Sequence, residues 1–224
     1  MISILLATYN GEKYIKKSIE SILNQTFKEF EILIGFNGTT DNSKNIVSEF
    51  NDSRIKIFDY YDDKGKSKTL NKLVKEAKYD WIAIQDDDDI WLPKKLEKQI
   101  ELVDRFDVIG TQIFYIDENE NIIGKPSLSL TQEEIIKKCL LGENQIANTS
   151  AIFKKDLAIR INGWDENITG IEDFDFWLKL IKFNARFINL KKELVLHRIH
   201  KNSNFNTKSW DINSLILKYN KNVN

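Results

Sequence analysis

Residues 81–93 constrain the fold more than any other stretch of this 224-residue chain. An apolar run, Trp81-Ile82-Ala83-Ile84, leads through Gln85 into Asp86-Asp87-Asp88-Asp89 and then Ile90-Trp91-Leu92-Pro93. The run reads as a buried strand, so the carboxylates stand at a strand end. Adjacent carboxylates disfavour one another's ionisation. Apolar residues on both sides limit how far water can relieve that repulsion. A divalent cation with oxygen ligands would relieve it. A strand end that holds a cation is the usual place for chemistry in an α/β protein.

The rest of the first half supplies the other strands. The spacing predicts strands over 2–7, 30–35, 54–58 and 81–85, with helices over 14–25, from the Thr39–Asn42 caps to 50, over 67–77 and over 93–103. Ile15, Ile19, Ile22 and Leu23 mark one helix face, and Leu70, Leu73, Val74 and Ala77 another. Such alternation implies a parallel, doubly wound sheet. The second half is less regular. We expect a hairpin of 108–116 with 121–124, a helix over 132–141 capped by Thr131, and a short strand over 149–153. A helix then follows Glu172-Asp173, with a strand over 194–199 and a terminal helix over 210–219.

Composition narrows the classes of function. Lys+Arg 33 against Asp+Glu 34 gives a net charge of -1, which does not suit a nucleic-acid binder. The single Cys139 excludes an internal disulfide framework and suits a reducing compartment. No apolar run approaches the roughly 18 residues of a membrane span. The first residues read as a strand, not as a secretion signal, so the cytoplasm is the expected location. Basic residues near the C-terminus (Lys191, Lys192, Arg198, Lys201, Lys208, Lys218 and Lys221) suit either a solvated face or peripheral contact with the inner face of an anionic membrane.

In a parallel sheet the carboxyl ends of the strands share one edge. That edge should collect Thr8-Tyr9-Asn10, Asn37-Gly38-Thr39-Thr40-Asp41, the 59–65 segment and the aspartates. An aromatic ring, amides, hydroxyls and carboxylates together suit a nucleotide. Tyr9 can stack on a base, Asn37 can bond its edge, and the aspartates can hold a metal that grips a diphosphate. No glycine-rich phosphate loop is present, so metal and side-chain cations must neutralise the diphosphate.

These stretches, in this order, resemble the inverting family 2 glycosyltransferases, whose nucleotide-sugar-binding fold is called GT-A. The resemblance runs from Ile2 to about Asn204. It rests on Ser3-Ile4-Leu5-Leu6-Ala7-Thr8-Tyr9-Asn10, on 18–27, on Phe30-Glu31-Ile32-Leu33-Ile34 with Gly38-Thr39-Thr40-Asp41, on 65–71 and 81–93, on Glu172-Asp173, and on Arg198-Ile199-His200. It implies a single α/β domain over 1–224 with a mostly parallel, Rossmann-like sheet and a smaller mixed region. Residues 1–105 would bind the nucleotide-sugar, 106–204 the acceptor, and 205–224 would form a C-terminal helix.

The resemblance also implies roles. Asp88 would ligate Mn2+ or Mg2+, with His200 as a metal ligand or phosphate donor. Asp86 and Asp87 would contact the ribose and sugar of the donor. Thr8, Tyr9 and Asn37 would line the nucleotide, and Lys66 or Lys68, with Arg198, would approach its phosphates. Asp173 would be the general base that inversion requires. Glu172 would orient the acceptor or the loop. Read from its residues alone, Trp164 in the loop 162–170 is either an acceptor-side element or a tryptophan buried in the core. Asp89 is expected to face away from the site or to cap the helix that begins near Pro93, and His197 to be packed or at the rim. The implied reaction moves a sugar from a nucleotide-diphosphate donor, UDP-sugar first, to a hydroxyl of a glycan or lipid-linked saccharide. Family members often carry two acids where this chain has Phe36-Asn37, which leaves the base open. Sugar nucleotidyl transfer, a phospho-receiver module and an inactive nucleotide- or glycan-binding relative are the alternatives.

Overall fold

We describe the protein from a computed structural model, for residues 1–62, 64–201 and 211–220. The expected strands and helices of the first half are present. They are β1 (Ile2–Thr8), α1 (Ile15–Leu23), β2 (Phe30–Phe36), α2 (Ser43–Ser48), β3 (Ile55–Asp59), α3 (Lys66–Glu76) and β4 (Trp81–Gln85). β5 (Ile90–Trp91) and α4 (Lys95–Ile100) follow. β1 and β2 are buried throughout, and β4 in all but Trp81, because both faces are covered. Ile2, Ile4 and Leu6 pack with Ile15, Ile19 and Ile22 of α1. Leu5 and Ala7 pack on the opposite side with Leu70, Leu73 and Val74 of α3. The period of two along a strand sorts them.

The second half runs β6 (Val108–Ile116), β7 (Ile122–Gly124), α5 (Gln132–Leu140), a 3-10 turn at Asn148–Ser150, β8 (Ile152–Lys154), α6 (Lys155–Arg160), α7 (Glu172–Lys182), β9 (Phe187–Arg198) and α8 (Ile212–Asn220). Among the described residues the strands form one nine-stranded sheet in the order β3-β2-β1-β4-β8-β6-β9-β5, with β7 on β6. β3-β2-β1-β4 is parallel, while β8 joins β4 and β6 antiparallel. β6 and β9 pair in parallel, with register shifts between Thr111 and Ile113. The short β5, just past the aspartates, pairs with the end of β9 through Ile90–Leu196 and Trp91–Val195. The far end of the chain therefore returns to the end of β4. No described helix is long and apolar enough to cross a membrane. Lys208, Lys221 and Trp210, the expected start of the last helix, lie outside the described residues.

The Trp164 ring belongs to the core. It is 2% exposed and stacks on Phe176 at 4.2 Å between centroids. Of the two readings of Trp164, the core one holds, and the acceptor-side role is not seen. Asn71 of α3 holds the adjacent backbone: its Oδ1 accepts from Trp164 N (2.9 Å), and its Nδ2 donates to Trp164 O (2.9 Å). Downstream, the fully buried Asp175 of α7 accepts from Lys218 and Tyr219 of α8.

Candidate active site

The aspartate turn is fixed by its backbone first. Asp89 N donates to Asp86 O at 3.2 Å. Ser18 Oγ of α1 also donates to Asp86 O, at 3.1 Å. Gln85 Nε2 donates to Asp89 O at 2.7 Å and to Ser18 Oγ at 2.8 Å. The four side chains then diverge, each to a different partner.

Asp86 accepts from Lys66 Nζ at 2.6 Å and from Asn148 Nδ2 at 3.1 and 3.2 Å. Lys66 also lies 4.0 Å from Glu172. Burial disfavours the Lys66 charge, but Asp86 and then Glu172 outweigh it and raise its pKa. Asp87 accepts a short hydrogen bond from the Thr8 hydroxyl. Burial first, and Asp88 second, push its carboxyl up to about 7. The backbone of Gly11 lies against it: a Cβ there would fall 2.4 Å from Asp87 Oδ2. Asp88 Oδ2 stands 2.9 Å from His200 Nε2. Burial opposes the Asp88 charge, but the His200 contact and the His197 charge hold its pKa below the usual value.

Asp89 is fully buried, and both its oxygens reach across to β9. Oδ1 accepts from Arg198 N at 2.8 Å, and Oδ2 faces His197 Nδ1 at 2.9 Å. Burial raises the Asp89 carboxyl to about 6, which leaves it ionised at neutral pH. Burial works against the imidazolium too, but Asp89 outweighs it and lifts His197 to about 9. Asp89 is thus not a helix cap, because the segment that folds over it makes far better use of a carboxylate.

Arg198 also departs from expectation. Its guanidinium is buried, donating from Nε to Asp88 O at 2.9 Å and from one terminal nitrogen to Asp117 O at 3.1 Å. It lies over the Tyr14 ring at 4.4 Å and 3.4 Å from Glu120. Its donors are spent on the protein, so it is not a phosphate ligand in this arrangement.

Asp173 is the second residue of α7, beside Glu172, at a helix start that favours negative charge. Its Oδ1 accepts from Phe174 N (2.8 Å), and its Oδ2 from Asn144 Nδ2 (3.2 Å). Burial first, then Glu172, push its carboxyl up to about 7 against the pull of Lys66. Glu172 accepts a short hydrogen bond from Gly170 N. The chain Asp86–Lys66–Glu172 thereby brings the aspartate turn and the acidic pair to one site. At the neighbouring strand end, where a nucleotide is expected, Asn37 N donates to Thr8 O at 3.0 Å, and the Asn37 side chain is buried beside the β1 end. Tyr9 is 55% exposed. The site also uses Ser18 and Gln85, which lie in the 18–27 and 81–93 motifs, and Asn144 and Asn148, which do not stand out in the sequence.

The residues present fit a divalent metal. A carboxylate and an imidazole converge at Asp88 and His200, both partly open to solvent. Among the described residues no group of three His, Cys, Asp or Glu is arranged to hold an ion. Two protein ligands leave positions for diphosphate oxygens and water, which is how Mg2+ is commonly held.

The family model described as glycosyl transferase family 2 matches residues 3–162. The chain belongs to that family. It is 35% identical over 213 residues to the O-antigen biosynthesis glycosyltransferase WbnJ of Escherichia coli, covering 91% of this chain and 81% of that one. Over 212 residues it is 33% identical to an uncharacterized glycosyltransferase of Methanocaldococcus jannaschii, covering 92% and 73%. A third relative is the Escherichia coli UDP-Glc:alpha-D-GlcNAc-diphosphoundecaprenol beta-1,3-glucosyltransferase WfgD, 31% identical over 222 residues, covering 95% and 85%. The GT-A fold is shared with S. aureus TarS in complex with UDP-GlcNAc, at a TM-score of 0.80 and 20% identity, covering 99% of this chain and 66% of that one. In another TarS 1–349 structure the chain spans 60% of the solved length. The mannosyltransferase PcManGT of Pyrobaculum calidifontis, solved with GDP-Man and Mn2+, matches at 0.68 and 16% identity, covering 90% and 57%. This family 2 glycosyltransferase is therefore a transferase enzyme on a mixed sheet whose parallel half carries the acidic edge.

Proposed function

We propose that this glycosyltransferase moves one sugar from a UDP-sugar to a hydroxyl of a glycan or lipid-linked saccharide, with inversion and with a divalent metal. The observation that carries the reading is the bridge Asp86–Lys66–Glu172, which sets the Asp88–His200 pair and the Asp173 carboxyl around one site. Asp88 and His200 would hold Mn2+ or Mg2+. Bound there, the metal would act as a Lewis acid towards the departing diphosphate. Lys66 adds a cation on the same side. Asp173, with a carboxyl near neutrality, takes the proton of the acceptor hydroxyl as its oxygen attacks the anomeric carbon. Asn144 orients that carboxylate. Tyr9 stacks on the base, and Asn37 bonds its edge. Support for UDP and for a lipid diphosphate acceptor comes from the name of the relative WfgD.

The test is thermal stabilisation by UDP, GDP and CDP with and without Mn2+, followed by UDP release from UDP-sugars with a diphosphate-linked saccharide acceptor. Bound ligand stabilises by mass action. UDP should raise the melting temperature most, and more with Mn2+. No shift with any of the three nucleotides would overturn the reading.

A further inference from the structure

Asp89 is a buried charge for which the proposed chemistry has no use. It does not face the site, yet it makes two of the contacts by which β9 meets the aspartate turn. Its Oδ1 holds Arg198 N and its Oδ2 holds His197 Nδ1, at 2.8 and 2.9 Å. A third contact runs the other way, from Arg198 Nε to Asp88 O at 2.9 Å. These bonds pin residues 88–89 to residues 197–198. Two positions further on, His200 meets Asp88 across the site. The anchor thus joins the chain segments that carry the two converging side chains.

The surrounding charges are arranged for anchoring as well. Arg198 is held from outside by Asp117 O, by Glu120 and by the Tyr14 ring. Lys13, just before α1, and Lys17 of α1 pair with Glu118 and Glu120 of the β6–β7 turn, which closes over it. The backbone of 197–198 therefore has little freedom to follow a ligand on its own.

We propose that Asp89 is a positioning residue for metal and diphosphate binding, acting through His197 and the Arg198 backbone to keep His200 opposite Asp88. The inference rests on the functional reading above. A carboxylate suits the task because it accepts from two separate donors at once, whereas an amide can accept at one and must present an N–H to the other. Outer partners that orient metal ligands are typically worth about 10- to 100-fold in metal affinity.

The experiment measures Mn2+ binding in the presence of UDP, and UDP binding with and without Mn2+, for wild type, Asp89→Asn, His197→Gln and Asp175→Asn. Asp175→Asn also removes a buried carboxylate, but one that ties α7 to α8 away from the site. Asp89→Asn should weaken Mn2+ binding about 10- to 100-fold and leave metal-free UDP binding unchanged. Asp175→Asn should lower the melting temperature without changing Mn2+ affinity. If Asp89→Asn does not fold, His197→Gln, at a partly exposed position, reads the same link. It should lose Mn2+ affinity by about threefold to tenfold, below the range for the anchor itself. Wild-type Mn2+ affinity in the folded Asp89→Asn or His197→Gln protein, or equal losses in Asp175→Asn, overturns the positioning role alone. Absence of Mn2+ and UDP binding in wild type overturns the functional reading, and this inference with it.

Discussion

Replacing Asp173 by Asn should make the enzyme nearly inactive and more stable. The carboxyl stands at about 7, raised from an ordinary 3.8 by burial and by Glu172. Keeping it ionised in the folded chain therefore costs about 4 kcal/mol. Because the folded value lies above the unfolded one, the deficit is absent below 3.8, grows as pH rises between the two values, and is complete above about 7. Asparagine carries no such deficit but gives up the bond from Asn144, worth about 1 kcal/mol. The net gain at pH 8 is about 3 kcal/mol, or a melting temperature higher by roughly 5–10 °C for a chain of this size. At pH 5 the gain should shrink below about 1 kcal/mol. Removal of a general base should lower kcat about 100- to 10,000-fold. Melting curves at pH 5 and 8, with steady-state transfer, test both halves. If Asp173 served only the helix start, the variant would be less stable at every pH. Loss of stability at pH 8, an equal gain at both pH values, or kcat above one tenth of wild type would refute the argument.

Three further outcomes are expected. The acidic limb of kcat/KM should rise with pH to a plateau above about 7, because Asp173 accepts the proton only when ionised; a flat profile from pH 5 to 8 counts against it. Lys66→Met leaves Asp86 and Glu172 without their shared cation, so stability should fall by about 1–3 kcal/mol and donor KM should rise; an unchanged KM would take Lys66 out of donor binding. Trp164→Ala should cost about 3–5 kcal/mol through the cavity left against Phe176, whereas Tyr9→Ala should change stability by under about 0.5 kcal/mol while weakening UDP by about tenfold; calorimetry and UDP titration separate the two.

The parallel half of the fold is legible because its signals are local. A buried strand, a turn and an amphipathic helix recur within about thirty residues, and Ile2, Ile4 and Leu6 sort from Leu5 and Ala7 by period alone. The acids of the site are legible for the same reason, since Asp86–Asp89 and Glu172-Asp173 stand at element ends. What escapes is decided by partners far away in the chain. Arg198 has the look of a ligand-binding arginine, but its partners are Asp88, Asp117 and Glu120. Asp89 sits where a cap would sit, and only the return of β9 makes it an anchor. Trp164 falls in a polar loop, and nothing nearby says that Phe176 will stack on it. β5 has two residues and exists because β9 lies beside it. Asn144 and Asn148 lie in an ordinary polar stretch whose value comes from Asp173 and Asp86.

The pairing of Asp88 with His200 spans 112 residues and sets an order of events during synthesis. At about 5–20 residues per second, the aspartate turn leaves the ribosome roughly 5–20 s before its partners on β9 exist. For the first part of that interval, until β8 is made, β4 has no partner on its β8 side and is exposed there. Lys66, made earlier, can already meet Asp86, but Asp88 and Asp89 still lack their β9 partners, and their charges would act as a gatekeeper, repelling other nascent copies of the same strand. The residues proposed to hold the donor would thus serve first as protection against aggregation, and the site would be among the last parts of the molecule to close.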